Sequence, residues 1–161
     1  MPIQFIFTGL VDAPWTADWA WGLPLIVVIV LLHVLGLAMT RQAVLRIINR
    51  SSQRHPTVVF VIVTGTAAFL ATCPHAIEAI IWALAYVLLG ATPSYRLAML
   101  YSLNAMTSYG HTNLTLDDHW RLMGALEALN GWLLFGLTTA FLFGVIDKVG
   151  ITEKGFRTSA S

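Results

Sequence analysis

The stretch PSYRLAMLYSLNAMTSYGH, residues 93–111, separates two long apolar runs, and its reading decides the fold. Thr92-Pro93 has the form of a helix start, a small capping residue followed by proline at the first turn. The helix it opens, ending near Met106, has roughly 14 residues and a length of about 21 Å, too short for a hydrocarbon core about 30 Å thick. In a membrane it must be re-entrant or interfacial. Thr107 to His111 follow with a turn signal in Tyr109-Gly110, and a polar link then leads to a long apolar helix from Trp120 to Ile146. Irregular backbone survives at membrane depth only where it is buried in protein or lines a water-filled path, because unpaired amides are expensive in lipid. A half-length helix, an irregular peptide and a full-length helix in succession therefore predict a pathway beside residues 107–111.

Composition puts this stretch in a bilayer. Of 161 residues, 57% are hydrophobic and 11% charged, too little polar surface to cover a water-soluble globule. The net charge of +1 is small, and the arginines are not interleaved with exposed aromatics on a polar domain, so nucleic acid is not an expected partner. Cys73 is the single cysteine, which rules out an intrachain disulfide and an all-cysteine zinc site within one chain. The start lacks the basic stretch and small-residue cleavage pattern of a secretory leader, so Met1 onward reads as mature sequence.

Residues 23–39 hold one polar side chain, His33, and predict a first transmembrane helix. Trp15, Trp19 and Trp21 precede it as an interfacial aromatic belt, with Pro14 and Pro24 expected to break any longer element. Residues 40–56 carry Arg41, Arg46, Arg50 and Arg54 and no acid, which the positive-inside rule assigns to the cytoplasm. Ala43, Val44, Ile47 and Ile48 fall there at helical spacing, as in a segment lying along the inner surface or extending the first helix. In residues 57–91 Glu78 is the only formal charge, and a straight helix of that length would reach about 52 Å, so Pro74 predicts one long kinked helix or two helices. A single crossing places seven of the nine basic residues on the cytoplasmic side and is preferred. The last helix, with Asp117 or Asp118 as its expected cap, carries Gly124, Gly131, Gly136 and Gly144.

Trp82-Ala-Leu-Ala-Tyr86, Tyr101-Ser102-Leu103, Ser108-Tyr109-Gly110, Trp120-Arg121-Leu122 and Glu127-Ala-Leu-Asn-Gly131 together resemble the pore domain of small bacterial potassium-channel-family proteins. The resemblance covers His75 to Ile146, nearly half the chain. It implies an all-α integral membrane fold with an outer helix, a re-entrant pore helix and filter loop, and an inner helix, here with one extra N-terminal transmembrane helix. The implied partners are the lipid bilayer and the chain itself, as a homotetramer around a central pore whose carbonyl oxygens replace an ion's hydration shell. The implied layout is an extracytoplasmic segment 1–22, a transmembrane helix with basic cytoplasmic loop 23–56, a pore domain 57–147 and a cytoplasmic tail 148–161. The N-terminus is then outside and the C-terminus inside a bacterial inner membrane.

The family's filter reads T-T-V-G-Y-G-D, against Ala105, Met106, Thr107, Ser108, Tyr109, Gly110 and His111 here. Met106 replaces a threonine that supplies the innermost ion site, and a thioether is a poor ligand for a hard cation. Ser108 stands where glycine adopts a backbone conformation that a side chain resists, at a cost of about 1 kcal/mol. His111 replaces an acid at the outer mouth, where Asp117 and Asp118 are the remaining carboxylates. These departures argue for weakly selective passive conduction of potassium or sodium, with no enzymatic activity; the alternative is a non-conducting assembly or adaptor subunit. Glu78 and Trp82 are expected to support the filter from behind, and Glu127 invites the same reading. Gly131 and Gly136 are candidates for a gating hinge or for close helix packing. His33 and His75 are the only intramembrane histidine pair, and they are expected at unmatched depths, so no haem, resident metal or other cofactor is expected.

Overall fold

A computed structural model describes residues 13–50, 56–109 and 114–159, which form four α-helices and one 3-10 turn. Residues 1–12, 51–55, 110–113 and 160–161 lie outside the described residues, and with them the filter and mouth candidates Gly110 and His111. Helix α1 spans Ala13–Arg50, α2 Pro56–Leu88, α3 Tyr95–Thr107 and α4 Arg121–Ser159, the last preceded by the turn Asp118–Trp120. No strand occurs among the described residues. Three segments, Trp15–Arg50, Thr57–Leu88 and Asp118–Gly150, are long and apolar enough to cross a membrane.

Helix α1 begins earlier than expected. It begins before the tryptophan belt and continues through Pro24, consistent with the tolerance of membrane helices for a proline whose lost hydrogen bond is made good locally. It also continues to Arg50, so of the two readings of the basic segment its described part takes the one in which it extends the first helix. The cause is its apolar stripe: Val44 is buried in a cluster with Val63, Ala67, Val145 and Val149, and Ile47 and Ile48 pack against it.

Helix α2 settles the choice between one helix and two, since it runs unbroken through Pro74. Its buried positions include four alanines, Ala67 and Ala71 in its first half and Ala79 and Ala83 in its second, each pair one turn apart, where small residues allow close helix packing. Gly36 of α1 meets Pro74 so closely that a Cβ there would lie 2.6 Å from the proline Cγ. At the end of α2, Gly90 takes a left-handed conformation (φ 71°), and the amides of Gly90 and Ala91 donate to the carbonyls of Val87 and Tyr86. This paired closure satisfies the last carbonyls of the helix.

The described residues form two compact units, 13–31 with 77–109 and 114–133, and 32–50 and 56–76 with 134–159. The first has a core of Trp82, Tyr86, Tyr101, Met123 and Leu126 and buries Asp18, Glu78, Ser102, Glu127 and Asn130; the second contains the Val44 cluster and buries His33. Large apolar side chains remain exposed on every long helix, Leu31, Phe69 and Phe143 among them. Such surface suits lipid or another protein chain, not water.

Candidate functional site

The first unit holds the half-length helix in place. Helix α3 starts after Ser94, two residues later than the Thr92-Pro93 signal suggests, because the Ser94 side chain accepts from the Leu97 amide (3.3 Å) while Pro93 stays outside. Its buried stripe is Ala98, Tyr101, Ser102 and Ala105. The Ser102 hydroxyl donates to the Ala79 carbonyl of α2 (3.0 Å) and lies 2.5 Å from Glu127 Oε1 of α4. Tyr86 donates to the other Glu127 oxygen at 2.5 Å, and its ring meets Tyr101 edge-on at 5.4 Å. One buried carboxyl thus joins α2, α3 and α4. The single Ser102 proton has two oxygen neighbours, so both contacts are satisfied at once only when the carboxyl side also contributes a donor.

Helix α4 presents Gly124, Glu127 and Gly131 at spacings of three and four, one stripe along the helix. A Cβ at Gly124 would collide with the Tyr101 hydroxyl, and one at Gly131 would lie 2.6 Å from the Met106 carbonyl oxygen and 2.8 Å from Met106 Cα. The second obstacle is backbone and cannot turn aside. Gly131 is therefore a close-approach residue that brings α4 onto the last turn of α3. Gly136, the other hinge candidate, has open space where a Cβ would stand and sits inside the continuous helix.

Met106 and Thr107, expected beside or within the irregular peptide as filter residues, instead complete α3, with the Thr107 hydroxyl donating to the Leu103 carbonyl at 2.6 Å. Helical capping extends the helix further than the turn signal alone suggests. Ser108 then turns left-handed (φ 54°, ψ 25°), the strained geometry expected where a glycine would be at ease. Its amide donates to the Ala105 carbonyl (3.2 Å) and that of Tyr109 to the Asn104 carbonyl (3.1 Å). The side chain that makes the turn costly also anchors it: Trp132 Nε1 donates to Ser108 Oγ at 2.8 Å. Tyr109 is 86% exposed. The returning chain is tied down by buried Leu116 and by the Asp117 amide, which donates to the Ala91 carbonyl.

Neither expected acid caps α4 with its side chain. Asp117 makes no side-chain cap bond, and exposed Asp118 pairs with Arg121 at 2.6 Å. The cap comes from α1, where buried Asp18 accepts from the Met123 amide at 3.1 Å. Nothing local in the sequence signals this, since the partners are 105 positions apart; the one hint is an acid within a tryptophan belt. Glu78 and Trp82 are both buried on α2, Trp82 6.0 Å from the Tyr86 ring, so the aromatic group backing Glu127 includes it. Asn130, which no sequence pattern marks out, is buried with neither amide atom hydrogen-bonded among the described residues.

The second unit corrects the expectation about histidine depth. His33 and His75 lie at the same level, their rings 4.8 Å apart, and both Nε2 atoms reach the hydroxyl of Thr138, at 3.0 and 3.1 Å. The expected break at Pro74 would have set His75 near a helix end, but α2 runs unbroken through Pro74, so His75 stands near the middle of α2 as His33 does in α1.

Compared with known proteins, the chain matches no family model, no curated protein and no solved structure.

Proposed function

We propose that this chain is a subunit of a weakly selective cation channel of the potassium-channel type, conducting potassium or sodium passively through a homotetrameric pore. The observation that carries the reading is the half-length α3, too short to cross, whose C-terminal turn is held against α4 at Gly131 and followed by a non-helical peptide with Tyr109 exposed. Carbonyls at the end of a helix carry partial negative charge, which favours a cation there. Exposed apolar side chains on α4, Leu129, Trp132 and Phe135 among them, suit contact with further copies. A buried amide left without a partner, as at Asn130, costs about 1–3 kcal/mol, a cost that water in an enclosed pathway offsets.

The test is current through planar bilayers containing the purified protein. A monovalent cation current that barium blocks is expected, with sodium and potassium permeating comparably. Met106→Thr combined with Ser108→Gly is expected to raise potassium over sodium selectivity, and unchanged reversal potentials in mixed salt would count against it.

One observation favours a second reading, a non-conducting assembly subunit: Met106 and Thr107 are helical, so they do not stand in an irregular filter peptide. Silent bilayers from a protein that still forms tetramers would select it.

A further inference from the structure

We propose that His33, His75 and Thr138 form a binding site for a borderline divalent transition-metal ion such as zinc, within the second unit and independent of ion conduction. Three helices supply the groups: His33 from α1, His75 from α2 and Thr138 from α4. His33 is fully buried and His75 partly so. Their Nε2 atoms converge on one oxygen, at 3.0 and 3.1 Å, and the two imidazoles bring ligand atoms within 4.8 Å of each other.

Two imidazole nitrogens sharing a tetrahedral zinc ion stand about 3.3 Å apart, given bonds of about 2.0–2.1 Å. The ring centroids are 4.8 Å apart, and both Nε2 atoms already point at one oxygen. Imidazole is the side chain that suits zinc, copper and nickel, whereas a hard cation such as potassium prefers oxygen throughout. The hydroxyl supplies an oxygen donor or orients a metal-bound water. Ionisable and imidazole groups inside membrane helices are expensive to keep and mark function more often than packing.

The experiment uses the full chain in detergent, without a histidine tag, stripped of metal by chelator and then given zinc or cobalt. The expected result is one zinc ion retained per chain after gel filtration and, with cobalt, the visible ligand-field bands of a tetrahedral site. His33→Ala and His75→Ala should each lose stoichiometric zinc, while His119→Ala should keep it. His75→Cys separates ligation from folding: as a ligand, the thiolate adds a sulfur-to-cobalt charge-transfer band. Wild-type protein that retains no zinc and shows no cobalt bands overturns the proposal, as does zinc retained undiminished after both alanine substitutions.

Discussion

The two compact units each bury a polar cluster, and they build it in opposite ways. In the first, one carboxyl is gripped between two hydroxyls, with Tyr86 and Ser102 closing on Glu127. In the second, one hydroxyl is gripped between two imidazoles, with His33 and His75 closing on Thr138. Both clusters join three helices, where an isolated polar group would cost several kcal/mol in an apolar interior. The difference lies in what surrounds them. Glu127 is backed by Trp82, Tyr86 and Tyr101 and flanked by two glycines against which α3 closes, so its cluster is locked by shape as well as by hydrogen bonds. The imidazole pair instead converges on a single hydroxyl oxygen from two helices. One cluster reads as a brace for the half-length helix, the other as a place to hold something.

The largest break in that contrast should come from Gly131→Val, which drives a side chain into the Met106 backbone. Overpacking of this kind costs about 3 kcal/mol or more, and it should appear as loss of folded protein in an unfolding titration from mixed micelles. Glu127→Ala should follow at about 3 kcal/mol, since it leaves the buried Tyr86 hydroxyl without its acceptor, Ser102 with the Ala79 carbonyl alone, and a cavity between the helices. Glu127→Gln sharpens the point: its amide supplies an acceptor to Tyr86 and a donor to Ser102, so it should cost about 1 kcal/mol or less by the same titration. If the glutamine variant were as damaged as the alanine one, charge and not hydrogen bonding would hold the brace. In the second unit Thr138→Val should cost about 1–2 kcal/mol, the worth of its contacts with the two imidazoles. The smallest effect is expected from Asp118→Asn, which breaks an exposed ion pair worth about 0–1 kcal/mol; a change in melting temperature as large as that of Glu127→Ala would show Asp118 to have a structural role not seen in its geometry.

Much of the first unit is legible in the sequence. The length of α3, the long helices and the strain at Ser108 follow from apolar run lengths and from a serine at a position where the chain turns left-handed. The Glu127 brace is visible there only as a costly intramembrane acid, because its partners Tyr86 and Ser102 lie on other helices. What local pattern does not supply is pairing at long range: Asp18 capping Met123, and His33 meeting His75. Apart from the later start of α3, the helices run further than the local signals suggest. Pro24 and Met106-Thr107 read as interruptions and the arginine segment as a surface segment or a helix extension, yet tertiary packing of Val44 and the capping turn at Ser108 carry the helices through them. Propensity marks where a helix could stop, and burial of its apolar stripe decides whether it does.

The most direct test of the central claim is particle averaging, without imposed symmetry, of the purified protein in lipid nanodiscs. Four copies around one axis are predicted, with the peptide at Ser108 and Tyr109 turned toward that axis. A monomer or dimer, with the same peptide covered by its own helices, would contradict it.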